Sequence, residues 1–405
     1  MGDAAKVGFV FNHDAGHQAG HLIPILVAYA AYRPDHEVRA YAPPGAVAAA
    51  VRAAAGTGRN IRVIELSTPI AARAAARVLD LAMPASRLLR LRFNAGLFAD
   101  LDILVAPEHA ILAMKCWTPP SVRFVYSGHG AGDRAYGFDA ALSAFDLILA
   151  PGKKSVRRFR AAGALDGNAV AIVGYPKFDH APDRGRREQF FNNDNPVIVY
   201  NPHFSPALSS WYRAGRTVID WFATNPEFNL IVAPHVMLGR RPVHRSPGTG
   251  KWGWTGGVAA RYRSAPNIRI DFSSPRLFDM SYTNAADLYL GDASSQVMEF
   301  LLHPRPCVFL NAHRHDWRGD ENFAHWRLGP VIDDVADLGA TIRSSLANPD
   351  AYRPAQQEHF ANTFDLTREP SAARAARAIA ALLDEKRAPV VAAAAGELEL
   401  TAASR

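Results

Sequence analysis

Polar residues of types that carry out chemistry follow short apolar runs at several points of this 405-residue chain. The clearest case is His129, which stands between Gly128 and Gly130 directly after the apolar run 122–126. A neutral imidazole at the end of a strand would remove a proton from an attacking hydroxyl, and Asp133 would orient its ring. A hydrogen-bonded histidine in a plain turn is the alternative explanation of the same residues.

Two more histidines occupy equivalent positions in the second half of the chain. His203 lies in NPHFSP after the apolar run 197–200, and His235 lies in APHVML after the run 230–233. Ligands of open α/β sheets bind beyond the carboxyl ends of the strands, so we expect all of these side chains in a common cleft. Three strand ends that carry histidine are stronger evidence for chemistry than one.

The stretch DLYLGDASSQVMEFLL, residues 287–302, combines a strand, a turn at Asp292 and the start of a helix. The unpaired N–H groups and the positive dipole end of that helix would bind a diphosphate beside Ser294 and Ser295. A plain serine cap explains the two serines as well. Glu299, one helical turn further on, would contact either a nucleotide ribose or solvent.

The stretch NHDAGHQAGH, residues 12–21, carries histidines at four-residue spacing. This spacing would align His17 and His21 as zinc ligands only in a helix, and the glycines, Gly20 among them, argue against a helix there. We therefore predict no metal. The alternative is a glycine-rich loop, capped near Gly20 and His21, which lets a donor or an acceptor approach the backbone.

Two other stretches are predicted as loops. Residues 239–257, GRRPVHRSPGTGKWGWTGG, read as a long loop that is functional or mobile. Residues 311–326, NAHRHDWRGDENFAHW, are dense in polar and aromatic side chains, unlike a solvated connector. Arg314 or Arg318 would hold a phosphate group there, because guanidinium groups match phosphate geometry.

The elements that must position these residues alternate as short apolar strands and helices, which is typical of parallel sheets covered on both faces. Strands are predicted at 7–12, 37–41, 61–65, 103–106, 122–126, 147–150, 170–173, 197–200, 230–233, 268–270, 288–290, 308–310 and 331–332. Helices are predicted at 22–32, 71–79, 154–162, 207–222, 295–302, 335–346 and 370–385. Two such sheets in series predict an α/β protein with two doubly wound, Rossmann-like domains.

The predicted domains follow from this alternation. Residues 1–180 form the N-terminal domain and residues 190–346 the C-terminal domain, with a polar, turn-rich break between them. Residues 347–387 form a helical segment that packs back, and residues 388–405 form a loose, alanine-rich tail.

Charge and composition narrow the possible partners. The formal net charge of +7 suits an anionic ligand or an anionic membrane surface, and no zinc-finger, RNP or basic-helix pattern indicates nucleic acid. The N-terminus lacks a signal-peptide pattern and no apolar run reaches the length of a membrane span, so we expect a cytoplasmic protein. Cys116 and Cys307 are predicted to be reduced core thiols.

Two basic runs bear on a membrane partner. GKKSVRRFR, residues 152–160, and RGRR, residues 184–187, would rest weakly on an anionic inner membrane face. A solvated basic face explains the same residues.

Read together, residues 124–334 resemble the CDP-glycerol glycerophosphotransferase family, the enzymes of teichoic-acid polymer synthesis. The resemblance rests on SGHGAGDRAYGFDAALSAFDLILAPGKKSV, VGYPKFD, VIVYNPHFSP, LIVAPHVML and DLYLGDASSQVMEFLLHPRPCVFL. It implies the GT-B architecture of two facing Rossmann-like domains. The chain departs from the family pattern where HGAGD replaces His-Gly-Thr-Pro, and where APH replaces Leu-His-Pro.

The resemblance implies a role for residues on both sides of the cleft. His129, on the acceptor side, would be the general base on the acceptor hydroxyl, and His235 would bind or protonate the donor diphosphate. Ser294 and Ser295 would hold the phosphate of a cytidine nucleotide, with Asp292 supporting their loop.

The implied function is transfer of glycerol phosphate or a related group from a CDP-activated donor to a surface carbohydrate or a lipid-linked acceptor, without a cofactor. Two alternatives stay open. A GT-B glycosyltransferase or a UDP-sugar 2-epimerase would share the fold, and an epimerase would use carboxylates such as those of Asp292 and Glu299. A non-catalytic GT-B-like binding protein would keep nucleotide binding without turnover.

Overall fold

The computed structural model describes residues 4–13, 16–56, 60–80, 85–133, 138–246, 249–258 and 260–384. These residues form one parallel β-sheet in each half of the chain and a separate two-stranded hairpin. Each predicted strand is present within two residues of its predicted ends, so the α/β fold with two doubly wound parallel sheets is confirmed.

The first sheet contains seven parallel strands in the order β3-β2-β1-β4-β5-β6-β7. They are β1 (Lys6–Val10), β2 (Glu37–Ala42), β3 (Ile61–Glu65), β4 (Ile103–Ala106), β5 (Arg123–Tyr126), β6 (Leu147–Ala150) and β7 (Ala169–Ile172). The connecting helices are α1 (Gly16–Tyr32), α2 (Ala46–Ala55), α3 (Ile70–Leu79), α4 (Ala85–Phe93) and α5 (Lys153–Ala161). The strand order reverses between β1 and β4, and sheets of this kind bind ligands at that point.

The second half adds a six-stranded parallel sheet and the hairpin. The strands are β8 (Val197–Asn201), β9 (Asn229–Val232), the hairpin strands β10 (Val243–Arg245) and β11 (Trp252–Trp254), β12 (Ile268–Ile270), β13 (Leu288–Gly291), β14 (Cys307–Leu310) and β15 (Val331–Ile332). The helices are α6 (Trp211–Thr224), α7 (Ala260–Arg263), α8 (Ser281–Ala285), α9 (Gln296–Phe300) and α10 (Leu338–Ala347). The sheet order is β12-β9-β8-β13-β14-β15, which reverses between β8 and β13.

Both faces of each sheet are covered by apolar cores. Val105 packs with α1 on one face of the first sheet, whereas its neighbour Leu104 packs on the opposite face. In the second sheet, Tyr289 and Leu290 divide between two cores in the same way. Successive residues of a strand point to opposite faces, so one continuous apolar run serves two cores, as the sequence pattern predicts.

The chain returns to the first sheet at its end, through α11 (Arg353–Thr363) and α12 (Ser371–Asp384). Ala376 and Ile379 of α12 lie in the same buried core as Leu22 of α1. A guanidinium nitrogen of Arg123, in β5, also donates to the carbonyl oxygen of Leu382 at 3.0 Å. The chain therefore passes from the first half to the second and then returns to the first. The domain boundaries given above stay a prediction.

Several sequence expectations need correction. Helix α1 begins at Gly16 rather than after Gly20, and residues 239–257 contain the hairpin rather than an irregular loop throughout. Cys307 is buried as expected, but Cys116 is exposed, so it is not a core thiol. Helix α9 is also shorter than predicted.

The basic runs are partly paired within the protein. Lys154 of α5 is buried and its Nζ lies 2.6 Å from the carboxylate of Asp133. Arg184 and Arg187 both pair with Asp287, at 3.2 and 2.6 Å. Lys153, Arg157 and Arg160 are exposed, and contact of these runs with a membrane stays a prediction. Among the described residues, no helix combines the length and the apolar character that crossing a membrane requires.

Candidate functional site

The two points of strand-order reversal carry the candidate site. In the first sheet, the carboxyl ends of β1 and β4 lead to His13 and to Pro107, and β5, next to β4, leads to His129. In the second sheet, β8 leads to His203 and β13 leads to Asp292. Sequence analysis predicted most of these strand-end positions, and the topology explains why they matter.

The histidine between two glycines is held by the backbone of the neighbouring strand end. Gly128 has a φ of 64°, a conformation that favours glycine, and this turn precedes His129. The Nδ1 atom of His129 lies 2.8 Å from the carbonyl oxygen of Pro107. Because a carbonyl oxygen only accepts, Nδ1 carries the proton, and Nε2 presents a lone pair.

The electrostatic surroundings keep the His129 ring neutral. Burial lowers the pKa of His129 below its ordinary value, although the hydrogen bond to Pro107 and the charge of Glu108 oppose this effect. A neutral ring with Nε2 unprotonated is the form of histidine that accepts a proton. Within the described part of the chain, Nε2 makes no hydrogen bond, so it is placed to receive one from a bound molecule.

Asp133 does not orient His129, which corrects the sequence prediction. The Asp133 carboxylate is buried, with Oδ1 2.6 Å from Lys154 Nζ and Oδ2 2.8 Å from the backbone nitrogen of His325. Burial alone would raise the pKa of Asp133, but hydrogen bonds from His325 and His359 and the charge of Lys154 outweigh it and hold that pKa far below its usual range. The orienting role belongs to the Pro107 carbonyl instead.

The His325 ring connects the two halves of the site, and sequence reasoning missed it. Its Nδ1 lies 3.1 Å from Asp133 Oδ2, and its Nε2 lies 2.9 Å from the carbonyl oxygen of Asp292. Both of these neighbours are hydrogen-bond acceptors. The loop after β5 and the loop after β13 are thus fastened to one buried imidazole ring.

His203 and His235 have the opposite arrangement to His129. The Nδ1 atom of His203 accepts the N–H of Ser205 at 3.0 Å, and that of His235 accepts the N–H of Met237 at 3.2 Å. In a neutral ring, this leaves the proton on Nε2, which makes Nε2 a donor. The two rings lie with their centroids 5.3 Å apart. A histidine that carries its proton on Nε2 can donate to an anion such as a diphosphate.

Asp292 holds the loops of the second sheet together from a fully buried position. One carboxylate oxygen accepts the N–H groups of His203 and Ala293, at 2.9 and 2.6 Å. The other accepts both the N–H and the hydroxyl of Ser210, at 2.6 and 2.8 Å. Burial raises the pKa of Asp292, and these hydrogen bonds counteract that rise. The carboxylate is fully engaged by the protein itself.

The two serines differ in exposure. Ser294 is buried and its hydroxyl accepts the N–H of Gln296 at 3.4 Å, whereas Ser295 is exposed at the start of α9. A Cβ added at Gly132 would lie 2.9 Å from the Cβ of Ser295, so the loop of His129 touches the serine loop directly. Helix α9 has only five residues, which weakens the dipole argument for an anion site.

Glu299 and His21 lie where the two halves meet. Glu299 is buried, and its Oε1 lies 2.6 Å from Lys177 Nζ and 3.5 Å from the hydroxyl of Tyr175, so it pairs within the protein. The ring of Tyr175 packs on His21 with centroids 5.2 Å apart. Burial, followed by the charges of Lys177 and His129, lowers the pKa of His21 well below its ordinary value.

The N-terminal histidine stretch is helical, contrary to prediction. His17, Gly20 and His21 all belong to α1, so the residues form the first turns of a helix rather than a glycine-rich loop. Gly20 is exposed, and a Cβ there would meet nothing within 4 Å. Among the described residues, no group of three His, Cys, Asp or Glu side chains has the geometry to hold a metal ion.

Arg314 points away from the buried network. Its side chain is exposed and its φ is 53°, in a turn where its N–H donates to Asn311 at 2.9 Å. The neighbouring His313 and His315 instead bind the backbone of the loop after β8, through the carbonyl oxygens of Ser209 and Ala207. The segment that contains Arg314 therefore supports that loop, and a phosphate role for Arg314 stays a prediction.

Arginines that sequence reasoning missed border His129. Arg87 of α4 pairs with Glu108 at 2.5 Å, directly after β4. Burial, followed by the charges of Arg87 and Arg240, lowers the pKa of His13 to about 3. Arg87 belongs to the first sheet and Arg240 follows β9 of the second, so cations from both halves converge beside His13. No motif marks them, because they meet only through the fold.

A groove of about 520 Å³ lies elsewhere, at the outer edge of the second sheet. Its lining includes Phe190, Arg269 and Arg276, and none of the predicted site residues is among the side chains that line it. This groove and the candidate site therefore lie in different places on the protein.

Solved structures confirm the GT-B architecture. The chain aligns with the wall teichoic acid polymerase TagF at 14% identity and a TM-score of 0.56, covering 94% of this chain and 88% of that one. It aligns with a provisionally named UDP-N-acetylglucosamine 2-epimerase from Listeria monocytogenes at 12% identity and a TM-score of 0.57, covering 95% and 97%. HepE of Anabaena, solved with UDP and glucose, gives 15% identity and a TM-score of 0.52, covering 94% and 100%. No protein-family model and no curated protein matches the chain.

At identities of 12 to 15%, these likenesses show a shared fold. The family, the donor, the acceptor and the chemistry belong to the proposal that follows.

Proposed function

We propose that this chain is a transferase that moves glycerol phosphate, or a related phosphorylated group, from a CDP-activated donor to a hydroxyl of a surface carbohydrate or lipid-linked acceptor. One observation carries the proposal. Nδ1 of His129 lies 2.8 Å from the carbonyl oxygen of Pro107, whereas Nδ1 of His203 and of His235 accepts a backbone N–H group. In the proposal, Nε2 of His129 accepts a proton in the cleft, and the Nε2–H groups of His203 and His235 act on the donor phosphate. Group transfer from a diphosphate needs a base for the nucleophile and donors for the leaving phosphate.

The proposed reaction is a direct displacement. Nε2 of His129 accepts the proton of the acceptor hydroxyl as its oxygen attacks the phosphorus atom that carries the transferred group. A bond forms between that oxygen and phosphorus, and the bond from phosphorus to the bridging oxygen of the diphosphate breaks. The electron pair stays on the departing nucleotide phosphate, where the Nε2–H groups of His203 and His235 stabilise the charge.

The surrounding residues hold these groups in place. Asp292 fixes the backbone of His203, and the His325 ring links Asp292 to Asp133 in the loop of His129. In the proposal, Ser294 and Ser295 support the nucleotide phosphate. The contact between Gly132 and Ser295 brings the base loop and the donor loop together, which group transfer in a single step requires.

Two observations weigh against a UDP-sugar 2-epimerase, although a protein provisionally named for that activity shares the fold. An epimerase would need free carboxylates beside the sugar, and the two candidates are engaged. Asp292 accepts four hydrogen bonds from the protein, and Glu299 pairs with Lys177 at 2.6 Å. A glycosyltransferase that uses a UDP-sugar would keep the same three histidines, so ligand binding must separate it from the CDP proposal.

The experiment is a thermal-shift screen with CDP, CMP, CDP-glycerol, UDP and UDP-N-acetylglucosamine on the wild type, Ser295→Ala and His129→Ala. A ligand at 100 times its Kd adds about 2.7 kcal/mol to the free energy of unfolding, which is readily detected. We expect stabilisation by the cytidine ligands, weaker in Ser295→Ala and retained in His129→Ala. Release of CMP from CDP-glycerol with an added acceptor then tests turnover.

Each other outcome of the screen has a distinct meaning. Stabilisation by the uridine ligands alone would replace the CDP donor with a UDP-sugar. Nucleotide binding without CMP release, under any acceptor supplied, would favour a non-catalytic binding protein. An unchanged melting temperature with every nucleotide would remove the donor site itself.

A further inference from the structure

The hairpin of β10 and β11 has two faces of opposite character. The strands pair antiparallel, with Val243 opposite Trp254, His244 opposite Gly253, and Arg245 opposite Trp252. Because successive residues of a strand alternate between faces, the central pair His244 and Gly253 lies on one face and the other two pairs lie on the opposite face.

The inner face is docked on the protein. A Cβ at Gly253 would lie 2.6 Å from the Tyr212 ring, so only glycine lets the strand approach this closely. The hydroxyls of Ser246 and Ser205 lie 2.8 Å apart, and Trp211 Nε1 donates to the carbonyl oxygen of Thr255 at 2.8 Å. The hairpin is therefore fixed to the loop after β8.

The outer face is aromatic and open. Trp252 and Trp254 are 67% and 72% exposed, and Val243 beside them is 45% exposed. Side chains two residues apart on a strand lie about 7 Å from each other, so the two indoles form one apolar patch. The guanidinium of Arg245 lies 5.8 Å from the centroid of the Trp252 ring. We refer to Val243, Trp252 and Trp254 as the aromatic face.

Exposed cations surround the aromatic face. Arg241, Arg245 and Lys251 are all exposed, and we refer to them as the cationic rim. The sequence from 238 to 258 contains no Asp, Glu, Asn or Gln. No carboxylate therefore neutralises this charge from within the segment, and no carboxylate or amide is present in it to bind sugar hydroxyls.

We propose that the aromatic face and the cationic rim bind the surface of an anionic bilayer. Indole rings prefer the level of the lipid headgroups, where one part of the ring is apolar and the N–H is hydrated. Arginine and lysine beside them attract anionic headgroups, which matches the charge of the rim. The exposed valine fits an apolar boundary, whereas a carbohydrate would offer it no partner.

The hairpin lies beside the candidate site, so a bilayer bound to the aromatic face would lie near that site. The loop on which it rests carries His203, and His244 on the inner face lies with its ring centroid 6.1 Å from that of Phe204. A bilayer held by the outer face would thus lie beside the cleft. In the basic runs 152–160 and 184–187, Lys154, Arg184 and Arg187 are paired with carboxylates of the protein, whereas the cations of the rim stand beside exposed indoles.

The test is co-sedimentation of the full chain with vesicles of phosphatidylcholine alone and of equal parts phosphatidylcholine and phosphatidylglycerol. We expect binding to the anionic vesicles at low ionic strength, weakened by salt. The double variant Trp252→Ala with Trp254→Ala should bind at least about tenfold more weakly. Neutralising the rim with Arg241→Gln, Arg245→Gln and Lys251→Gln should weaken binding about fivefold per cation.

Matched variants separate the hairpin from general effects. Trp117→Ala removes another exposed tryptophan that has an arginine over its ring, and it should leave vesicle binding unchanged. Trp252→Phe with Trp254→Phe should keep most of the binding. Thermal unfolding of the double alanine variant without ligand should match that of the wild type, which excludes misfolding and keeps this test independent of the proposed function.

The proposal would be overturned if the wild type did not bind the anionic vesicles, or if the double alanine variant bound them as well as the wild type. Indole fluorescence during titration with soluble oligosaccharides tests the other occupant. A saturating change that the double alanine variant loses, without vesicle binding by the wild type, would assign the face to carbohydrate.

Discussion

Beside the first sheet, His129 donates from Nδ1 to the carbonyl oxygen of Pro107, whereas beside the second sheet His203 and His235 accept backbone N–H groups at the same ring atom. The residue type and its place at a strand end are the same in all three. The difference lies in whether the nearest backbone group is an acceptor or a donor. A main-chain hydrogen bond thus determines which nitrogen of each neutral histidine carries the proton, without a carboxylate partner.

The two sides also differ in how they are supported. The loop of Asp292 is fastened by hydrogen bonds within its own half, from Ser210 and His203. The loop of His129 is fastened across the cleft, because the carboxylate of Asp133 binds His325 of the second half. In the proposed reaction, His129 would therefore be positioned relative to the donor side, and substitutions in the two halves should have different effects.

The largest expected effect comes from removing the base. His129→Ala should lower the rate of CMP release from CDP-glycerol about 10²- to 10⁴-fold, the usual range for general acid–base catalysis, while nucleotide binding stays the same. Rates and the nucleotide-induced thermal shift are measured on the same preparations. His109→Gln is the control, a neighbouring histidine whose ring packs on Tyr126. Equal losses in both variants would contradict the role of His129.

Removing the carboxylate that joins the two halves should mainly affect stability. Asp133→Asn leaves Lys154 as a buried cation without its counter-charge, and breaking a buried ion pair in this way costs about 3–5 kcal/mol. Urea unfolding measures the loss, and Glu369→Gln, at an exposed pair with Arg377, should change little. A loss no greater than that of Glu369→Gln would show that the network does not join the halves.

The stability of Asp133→Asn should also depend on pH differently from that of the wild type. The folded pKa of Asp133 lies below its usual range, so its contribution to stability is complete above its unfolded value of about 3.9 and is lost as the pH falls below that value. Acid unfolding of the wild type should therefore be steeper than that of Asp133→Asn. Parallel acid transitions would contradict this sign.

The donor-side histidines should act on affinity. His203→Ala or His235→Ala removes one proposed hydrogen bond to a charged phosphate, which corresponds to a roughly 10- to 100-fold weaker Kd for CDP. Calorimetric titration measures it, with His129→Ala as the matched variant that should bind normally. If His129→Ala weakened CDP binding as much as the others did, the division of roles between the two sides would be wrong.

Sequence reasoning found the strands and the strand-end histidines because apolar runs and the residues after them are local signals. It failed at Asp133, whose partners Lys154 and His325 come from distant parts of the chain and meet it only in the fold. It also failed at α1, where the burial of Leu22 and Leu26 outweighs the cost of about 1 kcal/mol that a glycine brings to a helix.

The hairpin escaped prediction for a related reason. Its two tryptophans alternate as they would in a strand, but they point outward, and the inner position opposite His244 is Gly253. The usual apolar-inward pattern is inverted, so the segment resembled a loop. Exposed and buried apolar side chains give the same alternating pattern in a sequence, so the pattern alone does not distinguish them.

The smallest expected effect concerns the pH profile of kcat/KM. This profile tests the charges around His129 alone. Burial lowers the pKa of His129, so the neutral base should persist, and activity should stay level, as the pH falls through the ordinary histidine value of about 6.5. Glu108 raises that pKa and Arg87 lowers it. Glu108→Gln should therefore move the acid limb to lower pH, and Arg87→Gln should move it to higher pH. The two residues pair with each other, so each variant also breaks the same ion pair. If loss of that pair were the only effect, both pH profiles would shift in the same direction. Such a result would contradict His129 as the titrating base.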